Sequence, residues 1–417
     1  MGREIAEPVE ALGERGHRES VADFVAPWAE PELPMRVLRA ALAVGVTLRV
    51  LLYLSGRSVW LDEARLALNL AGRSYLDLLR PLDYDQVAPP LGAGIAALFL
   101  FAQVARRLLP GWPGVLAAAS ACVAPPLVFY SAELKPYVVD LAIGLLLVHA
   151  TMTWIEQPSA RLARLAPWIG ALSVWASAPA AFMLPAAAGA MLLSGRRNLR
   201  STLDRMRAVW FAWPLSAVIA YLLLYRTAWH NDYLHWYWSN SFLSLSEPHR
   251  IARATAAAHE VIWGLTIGNY RSPVERFTLP PQLYSLTGHL VAALAVLAVI
   301  GMVAVVRAWR PWQSVLLIGP SVGLLCASAL SLHPLSLRLV LFIAPALYLL
   351  LAAGADQVLV VVSRRARWRA AAFGAGGFLG LQLLNSASWV ARAPKVEAVR
   401  PMATAFLGCA GPPSRST

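Results

Sequence analysis

The sequence predicts an all-α fold, a transmembrane bundle of about eleven spanning helices, and three observations support that fold class. Hydrophobic residues make up 58% of the 417 residues, charged residues make up only 14%, and the mean hydropathy is +0.56. Apolar runs recur along the chain, many near the ~20 residues that a helix needs to cross about 30 Å of hydrocarbon. Because lipid offers the backbone no hydrogen bonds, these runs must be helices, and the short alternating strands of a membrane barrel are missing from the sequence.

The positions of the basic residues predict how the spans are oriented. The net charge is +13, and the arginines concentrate between apolar runs, in VARRLLPG, SGRRNLRSTLDRMR, VRAWRPW and SRRARWR. Basic residues beside a span mark its cytoplasmic side. Membrane topology therefore explains the positive charge, and nucleic acid is not an expected partner.

The spans follow a polar tail, residues 1–35, which contains many charges of both signs and is predicted to be cytoplasmic rather than a cleaved signal peptide. An odd number of crossings then places the C-terminal tail, residues 391–417, outside. The predicted spans are roughly 36–56, 92–109, 113–130 and 137–154, two short spans within 166–195, then 208–225, 286–306, 314–332, 339–362 and 370–390.

Two longer segments are predicted on the outer side. Residues 57–91 are expected to hold short outer-face helices after the first span, one from Asp62 to a glycine cap at Gly72 and another that Ser74 opens. Residues 226–285 form a long outer loop that is rich in aromatic side chains and histidines.

Four polar groups fall on this outer face, in SVWLDEAR, LDYDQVAPPL, YSAELKPY and SLHPLSLR. For one group alone, ending a helix at the interface explains the charge as well as a functional site does. Together they predict a polar pocket assembled from several loops, in which carboxylates deprotonate a hydroxyl or amine and cations hold a phosphate. The candidate residues are Asp62, Glu63, Asp83, Asp85, Glu133, Lys135, Tyr137 and Arg338.

Arg49 is an anomaly because it lies inside the first span. An unpaired arginine in that position costs at least ~2.5–3.5 kcal/mol, so it is expected to face a partner or a polar cavity, where it becomes a further candidate for substrate binding. The alternative is that its side chain extends to the outer headgroups.

The aromatic and histidine residues of the long outer loop have two explanations each. Trp229, Trp236 and Trp238 suit an interfacial belt, and the alternative is a surface on which a sugar ring stacks. The histidines and the three cysteines fit no zinc-ligand or redox spacing, so no metal site is expected. The histidines concerned are His230, His235 and His249.

Several of these motifs together resemble the GT-C superfamily of membrane glycosyltransferases. The phrases are LRVLLYLSGRSVWLDEARLALNLAG, DYDQVAPPL, YSAELKPYVVDL and SLHPLSLRLVLFIAPALYLLLA, and the resemblance runs over residues 36–390. It is closest to bacterial relatives of protein O-mannosyltransferases and of the aminoarabinose transferase of lipid A. The Asp-Glu after the first span and YSAELKPY are its specific parts.

The resemblance implies an inverting sugar transfer, with no cofactor, in a cavity on the outer side of the cytoplasmic membrane. The donor would be a sugar on a polyprenyl phosphate, and the acceptor a lipid, a glycan or a protein of the cell envelope. Asp62 would be the catalytic base with Glu63 beside it, Glu133 and Lys135 would line the cavity, and Arg338 would contact the phosphate.

One departure from the family pattern leaves other functions open. The APPL phrase that ends at Leu91 runs directly into the next span, so the amphipathic segment that normally follows it is shortened or missing. A folded but inactive family member is therefore one alternative. Another is a transporter or flippase of a lipid-linked sugar, although transporters usually have internal repeats and polar residues near the midplane, whereas the polar residues here concentrate on one face.

Overall fold

A computed structural model of the chain describes residues 32–55, 91–133, 135–226, 232–243, 250–268, 281–361 and 364–391, and every regular element among them is helical. Seven of these helices are long and apolar enough to cross a membrane, which gives the architecture of a multi-pass helical bundle. They are Glu32–Leu54, Leu91–Leu108, Tyr137–Glu156, Arg207–Tyr225, Gly288–Ala308, Pro311–Ala329 and Leu337–Val360.

The helices are numbered along the described chain as follows. They are α1 Glu32–Leu54, α2 Leu91–Leu108, α3 Trp112–Val123, α4 Pro125–Tyr130, α5 Tyr137–Glu156, α6 Ala160–Ala176, α7 Ala180–Ser194, α8 Leu199–Arg205, α9 Arg207–Ala220, α10 Asp232–Tyr237, α11 Arg250–Thr266, α12 Pro281–Ala308, α13 Pro311–Ala329, α14 Ala344–Val361 and α15 Arg364–Ala391. A π-helical turn, Tyr221–Tyr225, extends α9, and a 3-10 helix, Leu337–Ile343, precedes α14.

The helices follow the predicted apolar segments, but they differ from the predicted spans in length and number. The two short spans expected within 166–195 correspond to α6 and α7, whose break lies at residues 177–179. The segment 113–130 is divided into α3 and α4 at Ala124, because Pro125 and Pro126 have no N–H to continue the α3 hydrogen bonds. Among the described residues, seven helices have the length and composition of a membrane span, and the count of eleven stays a prediction.

The segment predicted to form the long outer loop, residues 226–285, contains two helices that the sequence analysis did not predict, α10 and α11. α11 is amphipathic, with an exposed N-terminal half and a buried end at Leu265 and Thr266. Gly268 then adopts a left-handed φ of 44°, which glycine tolerates after a helix. Side chains from α14 and α15 satisfy the carbonyls at this end: Tyr348 donates to Leu265, Gln382 to Thr266, and Asn385 to Ile267 and Gly268.

The arginine-rich connections meet at one end of the bundle, which we call the arginine end. Arg107 at the end of α2 forms an ion pair with Glu156 at the end of α5, with 2.6 Å between nitrogen and oxygen. Arg205 lies over the Trp154 ring, 4.9 Å from its centroid, and so joins the α8 region to the same end. Leu109 and Trp309 pack on one apolar cluster, which brings the α12–α13 connection there too. The contacts thus gather the basic segments that the positive-inside rule assigns to the cytoplasm.

The opposite end, which we call the polar end, gathers the turn between α4 and α5, the α6–α7 break, the segment after α10 and the loop before the 3-10 helix. The Leu335 N–H donates to the Ser241 carbonyl at 2.7 Å, and the Leu243 N–H donates to the Ser328 hydroxyl at 3.1 Å. Phe182 at the start of α7 packs edge-to-face on His333 at 5.4 Å between ring centroids. Segments distant in sequence therefore form a common surface at this end.

The break between α3 and α4 is held by Arg49, whose side chain is only 1% exposed. In a continuous helix the carbonyls of Ala121 and Cys122 would accept from residues 125 and 126, but both are prolines. The Arg49 guanidinium donates to these two carbonyls instead, at 3.3 and 2.8 Å. It also donates to the Gly45 carbonyl at 2.9 Å and to the Ser131 hydroxyl at 3.1 Å.

Two glycines let the helices approach this arginine closely. A Cβ on Gly45 would lie 2.9 Å from the Cys122 side chain and carbonyl, and one on Gly94 would lie 2.3 Å from the Ser131 oxygen. The Val123 carbonyl, at the last residue of α3, accepts a hydrogen bond of 2.7 Å from Ser386 of α15. The proline break is therefore stabilised by side chains from both α1 and α15.

We expect Arg49→Leu to lower the free energy of unfolding by about 2–4 kcal/mol, because it leaves two buried carbonyls without donors. Arg49→Lys should lose less, since an ammonium keeps the charge but spans fewer acceptors. The measurement is unfolding of the purified protein by sodium dodecyl sulfate, with the exposed Arg39→Leu as the control. Adding Pro125→Ala to Arg49→Leu should recover about 1 kcal/mol, because it restores an N–H opposite Ala121. Equal unfolding midpoints for the Arg49 and Arg39 variants would refute this assignment.

Candidate functional site

The sequence-predicted candidates divide into two sets. Asp62, Glu63, Asp83 and Asp85 lie outside the described residues, so their placement stays a prediction. The other five, Arg49, Glu133, Lys135, Tyr137 and Arg338, are described. All except Arg49 lie in the connections, or at the first residues of the helical elements, that form the polar end.

The turn between α4 and α5 holds two charged side chains inside the protein. Glu133 is 4% exposed and Lys135 is 8% exposed. Burying charge is costly unless the charge is paired or solvated by polar groups, so a fold that buries an acid and a cation two residues apart has a local polar environment for them. The aromatic rings of Tyr130 and Tyr137 flank the turn and pack edge-to-face, 5.3 Å between centroids.

Arg338, at the start of the 3-10 helix, stacks on Trp238 from the long outer loop. The guanidinium carbon lies 4.7 Å from the ring centroid, within the range of a favourable cation–π interaction. The hydrogen bond between Leu335 and Ser241 joins the loop before the 3-10 helix to this segment, and the bond from Leu243 to Ser328 joins the segment to the end of α13. A guanidinium carries several N–H donors in one plane, an arrangement that suits a phosphate.

The charged turn and the Arg338 segment are neighbours. Leu337 lines one small cavity together with Phe129, Tyr130 and Trp389, and this cavity has room for about one water molecule. The residue before Arg338 thus packs beside the helix that leads into Glu133 and Lys135. The structure brings together three parts of the predicted site: the YSAELKPY turn, Arg338 and one tryptophan of the outer loop.

Asp140, in the first turn of α5, was not among the sequence candidates. Its carboxylate faces the Ser177 hydroxyl in the α6–α7 break and lies near Tyr225 in the π-helical turn. The Tyr225 hydroxyl donates to the Val174 carbonyl at 2.8 Å. A carboxylate in the first turn of an otherwise apolar helix is a signal that could have found it, since such residues usually face a polar neighbour.

His333 lies between α13 and the 3-10 helix, and its imidazole is positioned by two contacts. Its Nδ1 lies 3.0 Å from the Pro334 carbonyl, and its ring packs against Phe182. Burial lowers the pKa of this imidazole, and the hydrogen bond to the Pro334 carbonyl opposes that shift. The neutral tautomer that donates from Nδ1 leaves Nε2 as an acceptor.

Arg49 differs from the other candidates because its contacts are with the protein fold. The hydrogen-bond partners that a buried guanidinium needs lie inside the helical bundle, so the Arg49 side chain does not extend to the lipid headgroups. It also lines a small cavity between α2, α5 and α14 with room for about one water molecule. These contacts describe a structural role, and its role as a substrate contact stays a prediction.

Within the part of the chain that the structure describes, no three His, Cys, Asp or Glu side chains lie close enough together to hold a metal ion. Comparison of the chain with protein-family models finds no match, and comparison with curated proteins finds none either. The function of the chain is therefore inferred from its own residues and from the motifs that they form.

We expect the buried imidazole of His333 to make the stability of the protein sensitive to acid. The pKa of its imidazole is lower in the folded protein, so below about pH 6.5 the unfolded chain binds more protons and stability falls as the pH falls. We expect the unfolding temperature of the wild type to drop more between pH 7.5 and pH 5 than that of His333→Asn. The measurement is thermal unfolding in detergent, with the exposed His259→Asn as the control. An identical pH dependence for wild type and His333→Asn would contradict this.

Proposed function

We propose that this protein is an integral-membrane glycosyltransferase that moves a sugar from a polyprenyl-phosphate donor to an acceptor at the outer face of the cytoplasmic membrane. The single observation that carries the proposal is the stacking of Arg338 on Trp238 beside the buried charges of the YSAELKPY turn. A guanidinium that binds phosphate and an aromatic ring that stacks on a sugar are the two groups that a lipid-phosphate sugar requires. The motif resemblance supports the same substrate class.

The proposed reaction needs one base and a binding site for the leaving phosphate. Asp62 removes the proton from an acceptor hydroxyl, and that oxygen attacks the anomeric carbon from the face opposite the phosphate. The bond between the anomeric carbon and the phosphate oxygen breaks, and the polyprenyl phosphate leaves with the electron pair. Lys135 and Arg338 stabilise the negative charge that develops on it. Because a phosphate leaves without protonation, no general acid is needed.

The orientation is part of the proposal. By the positive-inside rule the arginine end faces the cytoplasm, so the polar end with Glu133, Lys135 and Arg338 faces outward. A donor carried by a polyprenyl chain would then reach the site from the outer leaflet. The exposed apolar faces of α6 and α9, which include Trp168, Leu172 and Leu215, would lie in the lipid.

A lipid-linked-sugar flippase is less well supported by the helix breaks. In transporters, broken helices commonly leave carbonyls free to coordinate an ion or substrate within the membrane. At the α3–α4 break those carbonyls already accept hydrogen bonds from Arg49 and Ser386. The hydrogen bonds at this break therefore stabilise the protein fold, which favours an enzyme over a flippase.

The direct test is transfer activity in membranes with a panel of radiolabelled polyprenyl-phosphate sugars. We expect wild-type membranes to transfer one of the sugars, and Asp62→Asn to retain roughly 1% or less, since a general base contributes about 10²–10⁴ in rate. Glu260→Gln, an exposed carboxylate of α11, is the matched control and should stay active. Inactivity of both the wild type and the control, with all proteins inserted and folded, would contradict the enzyme and favour the inactive-relative or transport alternative.

Substitutions of Trp238 and of Arg338 should change different kinetic constants. Trp238→Ala should raise KM for the donor about tenfold with little change in kcat, because stacking is similar in the ground and transition states. Arg338→Gln should lower kcat about 10²-fold, because charge on the leaving phosphate grows in the transition state. Steady-state kinetics with the identified donor measures both. The neighbouring Trp236→Ala, at a ring 71% exposed, is the control; a Trp236 variant as impaired as the Trp238 variant would argue against a specific sugar contact.

A further inference from the structure

The arginine end contains a surface whose chemistry the proposed reaction does not use. We call it the arginine patch and define it as residues 196–207 together with Arg161 and Arg164 at the start of α6. It contains seven arginines and one acid, Asp204, which gives it a net charge of +6. Arg196, Arg197 and Arg200 are exposed. The positive-inside rule depends only on the presence of basic residues near a span. In this protein the fold also holds the patch residues on a packed surface.

α8 is packed onto the bundle in a defined orientation. Thr202 and Met206 are buried on its inner face, at 1% and 0% exposure. The Thr202 hydroxyl donates to the Asn198 carbonyl at 3.1 Å, and the Asn198 side chain caps the helix by accepting from the Ser201 N–H. Gly195 leaves the room for this packing, because a Cβ there would lie 1.9 Å from the Thr202 oxygen. Arg205 is fixed over Trp154 on the same side.

The outer edge of α8 has apolar residues beside its charges. Leu199 and Leu203, four residues apart, are 49% and 40% exposed, and they flank the buried face. Trp168 of α6 and Trp210 of α9 are exposed at 67% and 40%. A short helix that carries exposed leucines beside its arginines, with exposed tryptophans on α6 and α9, suits the boundary between acyl chains and headgroups.

Two further elements bring arginines to the same place. α6 and α9 run side by side, since the Trp213 indole donates to the Ala166 carbonyl at 3.1 Å and the Ser216 hydroxyl donates to the Ala171 carbonyl at 2.5 Å. This register sets Arg207 level with the first turns of α6. The cavity beneath, lined by Trp154, Leu162 and Trp213, has room for about one water molecule, so an acyl chain must lie along the outside of the bundle.

We infer that the arginine patch binds the phosphate of an anionic phospholipid of the facing leaflet, with the acyl chains along Leu199, Leu203 and Trp168. Guanidinium groups bind phosphate through paired N–H donors, and basic surfaces between membrane helices select anionic over zwitterionic headgroups. The exposed leucines and tryptophans favour a lipid over a nucleic acid, whose contacts would not need an apolar edge.

The test uses the full-length protein, purified and stripped of lipid, with phosphatidylglycerol or phosphatidylcholine added and retained lipid counted by native mass spectrometry. We expect wild type to retain phosphatidylglycerol in preference. The double variant Arg196→Gln/Arg200→Gln should weaken retention about 30-fold, from roughly fivefold for each arginine near a charged surface. The charge-matched control Arg39→Gln/Arg307→Gln changes two exposed arginines of the same end outside the patch and should retain the preference.

Two results would overturn the inference. One is equal retention of the two lipids by the wild type, and the other is a patch variant that keeps the same preference as the control variant. Thermal unfolding without added lipid separates binding from folding, because the patch arginines changed are exposed and both double variants should unfold near the wild-type temperature. Addition of phosphatidylglycerol should then raise the unfolding temperature of wild type and control, and raise that of the patch variant much less.

Discussion

The rest of the structure depends on how one arginine compensates for two prolines. Pro125 and Pro126 remove consecutive N–H donors from the middle of an apolar segment, where no water replaces them. Arg49 donates to the two carbonyls that this exposes, and it belongs to a helix more than 70 residues earlier in the chain. The hydrogen bond from Ser386 to Val123 stabilises the break from the other side. α1, α3 and α15 are therefore joined at one point by polar contacts that lipid cannot provide.

This break also positions the candidate site. After it, α4 makes less than two turns and ends at Tyr130. The hydroxyl of the next residue, Ser131, accepts from Arg49 and donates to the Leu127 carbonyl at 2.6 Å. The next residues are the turn that buries Glu133 and Lys135. The arginine that donates to the carbonyls of the broken helix thus also contacts Ser131, two residues before Glu133.

The helical class, the apolar segments and the clustering of arginine could be predicted from sequence because each leaves a local signal. The span predicted at 137–154 is the helix Tyr137–Glu156, and that at 208–225 matches Arg207–Tyr225. The α3–α4 break was missed because two prolines in an apolar run were treated as part of one span. α11 was missed because its apolar face is short and packs against residues of α12, α14 and α15, which no local pattern reports.

The site itself was predictable only in part. YSAELKPY and Arg338 could be selected from residue type and position, but the pairing of Arg338 with a tryptophan 100 residues earlier is a tertiary contact. The sequence shows that Arg49 lies inside a predicted span. It does not show what Arg49 contacts, because three of its four acceptors are main-chain carbonyls, which no residue type reveals. Asp62 and its acidic neighbours stay predictions, and the enzymatic proposal requires that they share the polar end with Arg338.

The central claim is that the polar end faces outward, and cysteine accessibility in intact cells tests it most directly. With Cys122, Cys326 and Cys409 replaced by alanine, Ser239→Cys beside Trp238 and Ser201→Cys in α8 each introduce one exposed thiol. We predict that a membrane-impermeant maleimide labels Ser239→Cys in intact cells and labels Ser201→Cys only after the membrane is opened. The reverse pattern would place Arg338 and the buried charged turn on the cytoplasmic side and would contradict the account.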